Sequence, residues 1–152
     1  MEDLGRDEGM DSAVVMADMI CTDLTVLDAV HWSYWLAVSC YNWRDGLMYV
    51  DLEEHTYTIT KRLYEYGNFT KFIKPGAVRV ETELKGKELN AVSFDVDGGL
   101  VTVLVNSSGA EQTLTLNAQG YETVEMHLTD SAHNLEQVPV ATYVSGGQVK
   151  LP

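Results

Sequence analysis

The sequence predicts a mainly β chain: an antiparallel β-sandwich preceded by one helix-strand unit of an α/β architecture. Three observations lead there. Apolar residues near the start recur at helical spacing, a short aromatic run follows, and from Ala77 onward the hydrophobic period is two.

Residues 1–10 are polar, contain two glycines and read as a loop. Asp11 is a suitable helix N-cap. Val14, Ala17, Cys21 and Leu24 then share one face, with Asp18, Thr22 and Asp23 off it, so residues 12–24 are expected to form an amphipathic helix. DAVHWSYWLAVS, residues 28–39, is nearly continuous in apolar character and shows no helical stripe. That suits a strand buried on both faces, as in a parallel sheet. Asp45-Gly46 signals a turn, and Leu47 to Val50 resume a strand.

A second helix is expected over about residues 58–73, with Ile59, Leu63, Tyr66 and Ile73 on one face. Lys74-Pro75 ends it, because the residue before proline resists helical geometry. Gly67 inside this helix costs ~1 kcal/mol, which close packing against another element would explain. Beyond it, Val78, Val80, Thr82 and Leu84 alternate with charged residues. Val92, Phe94 and Val96 alternate with Ser93, Asp95 and Asp97. Leu114 and Leu116 repeat the pattern, as do Val124, Met126 and Leu128, which places His127 facing outward into solvent. Turn signals separate these runs at Asp97-Gly98-Gly99, at Asn106 to Gly109 and at Ser145-Gly146-Gly147. Many short alternating strands at this spacing indicate a sandwich. A lone helix-strand unit cannot cover its own sheet, and QVKLP stops where another strand is expected, so the sequence reads as a piece of a larger protein.

The formal net charge is −13. That disfavours nucleic acid and anionic membranes, both of which call for clustered Lys and Arg. No apolar run reaches the ~18 residues of a membrane span. MEDLGRDEGMD is acidic and lacks the apolar core of a signal peptide. Cys21 and Cys40 are too few for a disulfide framework and form no CxxC pair; they are either two reduced thiols or a single bridge.

Several segments carry a resemblance. TKRLYEYGNFTKFIKPGAVRV, residues 60–80, resembles the barrel-to-sandwich junction of glycoside hydrolase family 30. HWSYWLAVSCYNWRDGLMYVD, residues 31–51, resembles that family's last barrel strand and the loop after it. GRDEGMDSAVVMADMICTDLTV, residues 5–26, is similar to the preceding helix, and VSFDVDGGLVTVLVNSS, residues 92–108, to the central hairpin of the sandwich. The resemblance implies that residues 1–52 are the carboxyl-terminal remnant of a (β/α)8 barrel. Residues 53–75 would be a connecting helix, and residues 76–152 a β-sandwich lacking its last strand. It also implies a retaining β-glycosidase acting through two glutamates. Retention requires carboxyls ~5–5.5 Å apart at one barrel mouth. By this register both glutamates lie upstream, so no catalytic residue is expected here. Glu2 and Glu8 sit in a polar loop without the aromatic strand context of a nucleophile. GRDEGMDSAVV and WLAVSCYNWRDGL look most similar to galactanase- and glucanase-like members. The parent is expected to be secreted or periplasmic, to bind a β-linked oligo- or polysaccharide, and to hold this piece against the rest of the barrel.

The resemblance makes Trp35, Trp32 and Tyr41 candidate substrate-binding residues, since the family places aromatics from this strand at the floor of its sugar site. Trp43 could line the loop above. The alternative for each is that it fills the barrel or packs on helices. His31, His55, His127 and His133 have no metal spacing, and His31, opening the buried strand, reads as a hydrogen-bonded core residue. No GxSxG elbow, GxGxxG or P-loop occurs, so no metal or cofactor is implied. Asn68-Phe69-Thr70 and Asn106-Ser107-Ser108 fit the N-glycosylation pattern. The competing reading is a non-catalytic carbohydrate-binding or scaffolding sandwich.

Overall fold

The computed structural model describes residues 5–117, 120–121, 123–139 and 147–152. Glu2, Ser145 and Gly146 lie outside them. Helix α1 spans Met10–Thr25. Its buried residues, Ala13, Met16, Ala17, Ile20 and Cys21, follow helical spacing with little interruption. The helix starts ahead of Asp11, because Asp7 organises its first turn. The Asp7 carboxylate accepts the amides of Gly9 at 2.9 Å and Ser12 at 3.2 Å. The N-cap residue, Gly9, contributes no side-chain bond. Asp11 stands in the first turn, where a negative charge suits the helix dipole.

The aromatic run is not a strand buried on both faces. Only Val38–Ser39, β1, has strand pairing, in parallel with β2, Met48–Asp51. Along the run Trp32, Tyr34 and Leu36 are half-buried, whereas His31, Ser33, Trp35, Ala37 and Val38 are exposed. Burial on both faces needs a neighbour along each edge and cover above and below. Among the described residues β1 pairs with β2 alone, so the run is covered on one side, and His31 is a surface residue. A hairpin partner for β2 was not expected. Thr56–Ile59, β3, pairs antiparallel with it, matching Met48 to Ile59 and Asp51 to Thr56. The β-branched and aromatic sequence TYTI favours an extended chain, so the second helix starts later than residue 58.

That helix, α2, covers Lys61–Thr70. Its most buried positions are Arg62, Glu65 and Phe69, while Leu63, Tyr66 and Ile73 are only partly buried. The face chosen by apolar spacing is therefore not the deepest one. Helix α2 packs between α1 on one side and a β-hairpin on the other, and two of its three buried side chains are ionisable. The expectation for Gly67 is met: a Cβ there would lie 2.7 Å from Leu135 Cδ2.

The β region starts with β4, Val78–Val80, which is shorter than the alternation suggested. Strands β5, Leu89–Val96, and β6, Gly99–Asn106, pair over their whole length on either side of Asp97-Gly98. Both turn residues have positive φ, at 46° and 83°, as a two-residue hairpin turn of this hand requires. The sheet order is β4-β5-β6. Ser93, expected to face outward, is buried with its hydroxyl 2.9 Å from Thr102 Oγ1, because β5 is the central strand and is covered on both faces. Strands β8, Met126–Thr129, and β9, Asn134–Val138, form a second hairpin. Strand β7, Gln112–Thr115, pairs with β10, Gln148–Leu151, so the terminal QVKL is itself a strand. His127 is not solvated: its ring lies 4.6 Å from Phe72 and its Nδ1 is buried without a partner among the described residues.

One core joins the two halves. Met16, Ala17, Ile20 and Cys21 of α1 pack with Leu47 and Phe69 against Val92, Phe94, Val103 and Val105 of the β5–β6 hairpin. Both cysteines are free; Cys21 is buried and Cys40 exposed. Burial pushes the Cys21 thiol up to about 12, and the neighbouring Asp18 and Glu65 add to the shift.

Two outcomes follow. At pH 8 an alkylating reagent should label the folded chain once, at Cys40, and twice in denaturant; double labelling of the native chain, read by mass spectrometry, would contradict the packing of α1. Gly67→Val should lower the free energy of unfolding in urea by about 1–3 kcal/mol, and Leu135→Ala in the same chain should recover most of that loss by opening the space.

Candidate functional site

The candidate aromatics fall into two groups with different surroundings. Trp32 is pinned: its Nε1 donates to Asp23 Oδ2 at 2.9 Å, and its ring centroid lies 6.2 Å from that of Tyr34 and 5.6 Å from that of Tyr66. The Tyr66 hydroxyl donates to the Trp32 carbonyl at 3.4 Å. These are packing contacts with the indole N–H satisfied. Trp35, by contrast, is 80% exposed. Tyr41 and Trp43, 57% and 53% exposed, stack on each other at 5.2 Å with 24° between planes. Among the described residues no ring contact joins Trp35 to either group.

Tyr41 and Trp43 stand on the loop that leaves the carboxyl end of β1, and that loop is held along its length. Arg6 donates from Nε to the Tyr41 carbonyl at 2.9 Å and from its terminal nitrogen to the Cys40 carbonyl at 3.1 Å. The Tyr41 amide donates to Ser39 Oγ at 3.2 Å, and the Tyr49 hydroxyl donates to the Trp43 carbonyl at 2.6 Å. Arg6 also lies over the Tyr49 ring, 4.7 Å from its centroid. Beneath the loop sits Arg62, 2% exposed. Its guanidinium donates to the Gly46 carbonyl at 2.6 Å, the Tyr49 hydroxyl at 3.0 Å, the Asp7 carbonyl at 2.9 Å and the Ser12 hydroxyl. Gly46 is required there, because a Cβ would stand 2.7 Å from the Met48 carbonyl oxygen. Burial raises the Tyr34 phenol above its usual range, against the opposing pull of Arg62. Burial would also raise the Asp7 carboxyl, but bonds from Ser12 and Gly9, with Arg44 3.9 Å away, hold it below the usual carboxylate range. The result is two flat apolar ring faces open to solvent on a fixed loop.

Glu8 is exposed, and its carbonyl accepts the Lys61 amide at 3.0 Å. Among the described residues no three His, Cys, Asp or Glu side chains are grouped to hold a metal ion, and no helix is long and apolar enough to cross a membrane. Neither sequon offers a free amide. Asn68 Nδ2 donates to Glu65 and Thr129, and Asn106 Nδ2 to the Ala110 and Pro152 carbonyls. Arg62 and Glu65 were not singled out from the sequence; the only hint was two ionisable residues spaced with Phe69 on one side of a helix.

Two models from one family match the chain in order: O-glycosyl hydrolase family 30 over residues 1–49 and the glycosyl hydrolase family 30 β-sandwich domain over residues 76–135. The chain belongs to glycoside hydrolase family 30. It is 32% identical over 82 residues to glucuronoxylanase XynC of Bacillus subtilis, a match covering 52% of this chain and 19% of that protein. It aligns with the family 30 subfamily 8 xylanase of Clostridium acetobutylicum at a TM-score of 0.81 and 19% identity, over 97% of this chain and 38% of that one. A conserved exported protein from Bacteroides fragilis aligns at 0.77 and 26% identity, over 92% of this chain and 31% of that one. The chain thus spans about a fifth of the curated relative and about a third of these solved structures. The family 30 fold class, a β-sandwich after a helix-strand unit of the barrel, is as expected. The galactanase- and glucanase-like branch is not supported, since the named enzymes are xylanases.

Arg62→Met should destabilise the chain by about 3 kcal/mol or more, because several buried acceptors lose their donor at ~1–3 kcal/mol each. Tyr49→Phe, which removes one hydroxyl, should cost about 1 kcal/mol. Equal losses in urea titrations would remove Arg62 from its central position.

Proposed function

We propose that this chain is part of a retaining glycosidase that cleaves β-linked polysaccharide by double displacement, and that it supplies an aromatic wall of the sugar site while two glutamates outside residues 1–152 supply the chemistry. The observation that carries the reading is the exposed Tyr41–Trp43 stack on an anchored loop at the carboxyl end of a barrel strand. Active sites of such barrels form at that end, and sugar C–H faces stack on open aromatic rings. Trp35, more exposed still, is the second candidate contact, whereas Trp32 is packed against Tyr34 and Tyr66 with its indole N–H engaged. The xylanase names of the relatives favour a xylan-type backbone. The relative described as exported agrees with a parent outside the cytoplasm.

The rest of the barrel is the proposed intramolecular partner. Val26, Leu27 and Val30 are exposed apolar side chains. They adjoin an open cavity of about 660 Å³ lined by Leu24, Ala29, Trp32, Tyr66, Phe69 and Phe94. Exposed apolar surface of this kind marks a contact.

A non-catalytic carbohydrate-binding role is the second reading, favoured by the same solvent-facing stack. One experiment separates them. Residues 1–152 alone should not hydrolyse aryl β-glycosides, whereas a parent carrying the upstream barrel should hydrolyse xylan faster than β-1,6-linked galactan or glucan. Trp43→Ala in that parent should raise KM for polymer at least about tenfold, the equivalent of ~1.4 kcal/mol. Turnover by the short chain that disappears in Glu2→Gln or Glu8→Gln would overturn the proposal, and polymer binding without turnover in every longer form would establish the binding module.

A further inference from the structure

The side of α2 facing the β8–β9 hairpin carries a carboxyl whose surroundings suit its neutral form. Glu65 is 7% exposed. It lines a cavity of about 310 Å³ with Met10, Val14, Leu104, Val105 and Leu128. Among the described residues its one hydrogen-bond donor is Asn68 Nδ2, 3.2 Å from Oε2.

Among the described residues no cation compensates it. Arg62, one turn earlier, directs its guanidinium to Asp7, Ser12, Gly46 and Tyr49. Lys61 directs its ammonium to the His133 carbonyl at 3.1 Å and Asn134 Oδ1 at 2.7 Å. From α1 the neighbouring ionisable groups are Cys21 and, beside it, Asp18. The hairpin contributes Asp130, whose Oδ1 is 2.9 Å from His133 Nδ1, and His127, whose ring lies 4.6 Å from that of Phe72 just past α2. Strand β6 presents Leu104, Val105 and Asn106, none of them charged. Burial accordingly raises the Glu65 carboxyl from 4.5 to about 7, with the Asn68 bond opposing the shift.

The same amide continues into the hairpin. Asn68 Nδ2 donates to Thr129 Oγ1 at 2.9 Å, and Thr129 Oγ1 accepts the Leu135 amide at 3.2 Å. Leu135 in turn packs on Gly67 of α2. Glu65, Asn68, Thr129 and Leu135 therefore form one line of contacts from helix to hairpin.

We propose that Glu65 is a proton-operated latch between α2 and the β8–β9 hairpin, closed when the carboxyl is neutral and loosened when it ionises. With the folded value above the unfolded one, the folded chain holds the extra proton between pH 4.5 and about 7. Docking is tightest below that window, weakens as pH rises through it and stays weakened above it. At tenfold per pH unit, the hairpin opening equilibrium should rise by up to about two orders of magnitude.

Native-state hydrogen exchange on the full chain tests this, with rates corrected for intrinsic base catalysis. Between pH 5 and pH 8 the Leu135 amide should lose at least tenfold in protection, and Glu65→Gln should abolish most of that dependence. Unchanged wild-type protection, or the same dependence in Glu65→Gln, overturns the latch. So does a dependence removed by Asp130→Asn and not by Glu65→Gln. If Glu65→Gln does not fold, the carbon-13 shift of the Glu65 carboxyl is followed beside Leu135 protection: a midpoint near 7 that coincides with the fall in protection supports the latch, and a midpoint near 4.5 or one that does not coincide overturns it.

Discussion

A buried guanidinium organises this chain. Arg62 reaches the start of α1 through Asp7 and Ser12, and the loop before β2 through Gly46 and Tyr49. Burying a cation is costly unless its donors find acceptors; here the two terminal nitrogens find two backbone carbonyls and two hydroxyls, while Nε has no partner among the described residues. A lysine could not replace it, because only the planar fork of arginine spans separate segments from one position. Tyr49 extends the reach: it takes a bond from Arg62 and gives one to the Trp43 carbonyl. The exposed aromatic stack is therefore held in place from inside the protein, two bonds away from α2.

The parts of the fold legible in the sequence were those set by spacing or by one backbone requirement. Helix α1 shows its buried stripe, Asp97-Gly98 shows the positive φ of its turn, and Gly67 shows the approach of another element. The illegible parts depend on neighbours. The run from Asp28 to Ser39 is apolar enough for a strand covered on both sides, but its cover is a matter of what packs on it. The second half of the TYTI strand, Thr58 and Ile59, reads as the start of the helix that follows it, because a four-residue strand offers only two positions per face.

The candidate site shows the same division. Aromatic side chains are conspicuous, so Trp32, Trp35, Tyr41 and Trp43 could be picked out directly. Which of them is free to meet a ligand was not visible, since it turns on distant residues: Asp23 and Tyr66 enclose Trp32, whereas Arg6 and Tyr49 grip the backbone of Tyr41 and Trp43 and leave the rings open. Arg62 and Glu65 escaped notice for a related reason. Apolar periodicity detects a helix face by its hydrophobes, and it has no way to register a deep face that is largely polar.

That face of α2 also explains why its two buried ionisable groups behave oppositely. Arg62 and Glu65 are three residues apart and similarly buried. Carbonyl and hydroxyl oxygens surround the guanidinium, so its positive charge is met by the negative ends of several dipoles. Among the described residues the carboxylate has one amide donor and no cationic partner, and Asp130 lines the same cavity. Acceptors are plentiful where a loop folds back on itself, because each exposes carbonyls that no strand partner takes. Donors are scarce beside a paired hairpin, whose amides are already engaged across the ladder. The positive charge is thus sustained at the loop side of the helix, and the negative charge is disfavoured at the hairpin side. The same helix is fixed at one end by a permanent ion and conditional at the other on a proton.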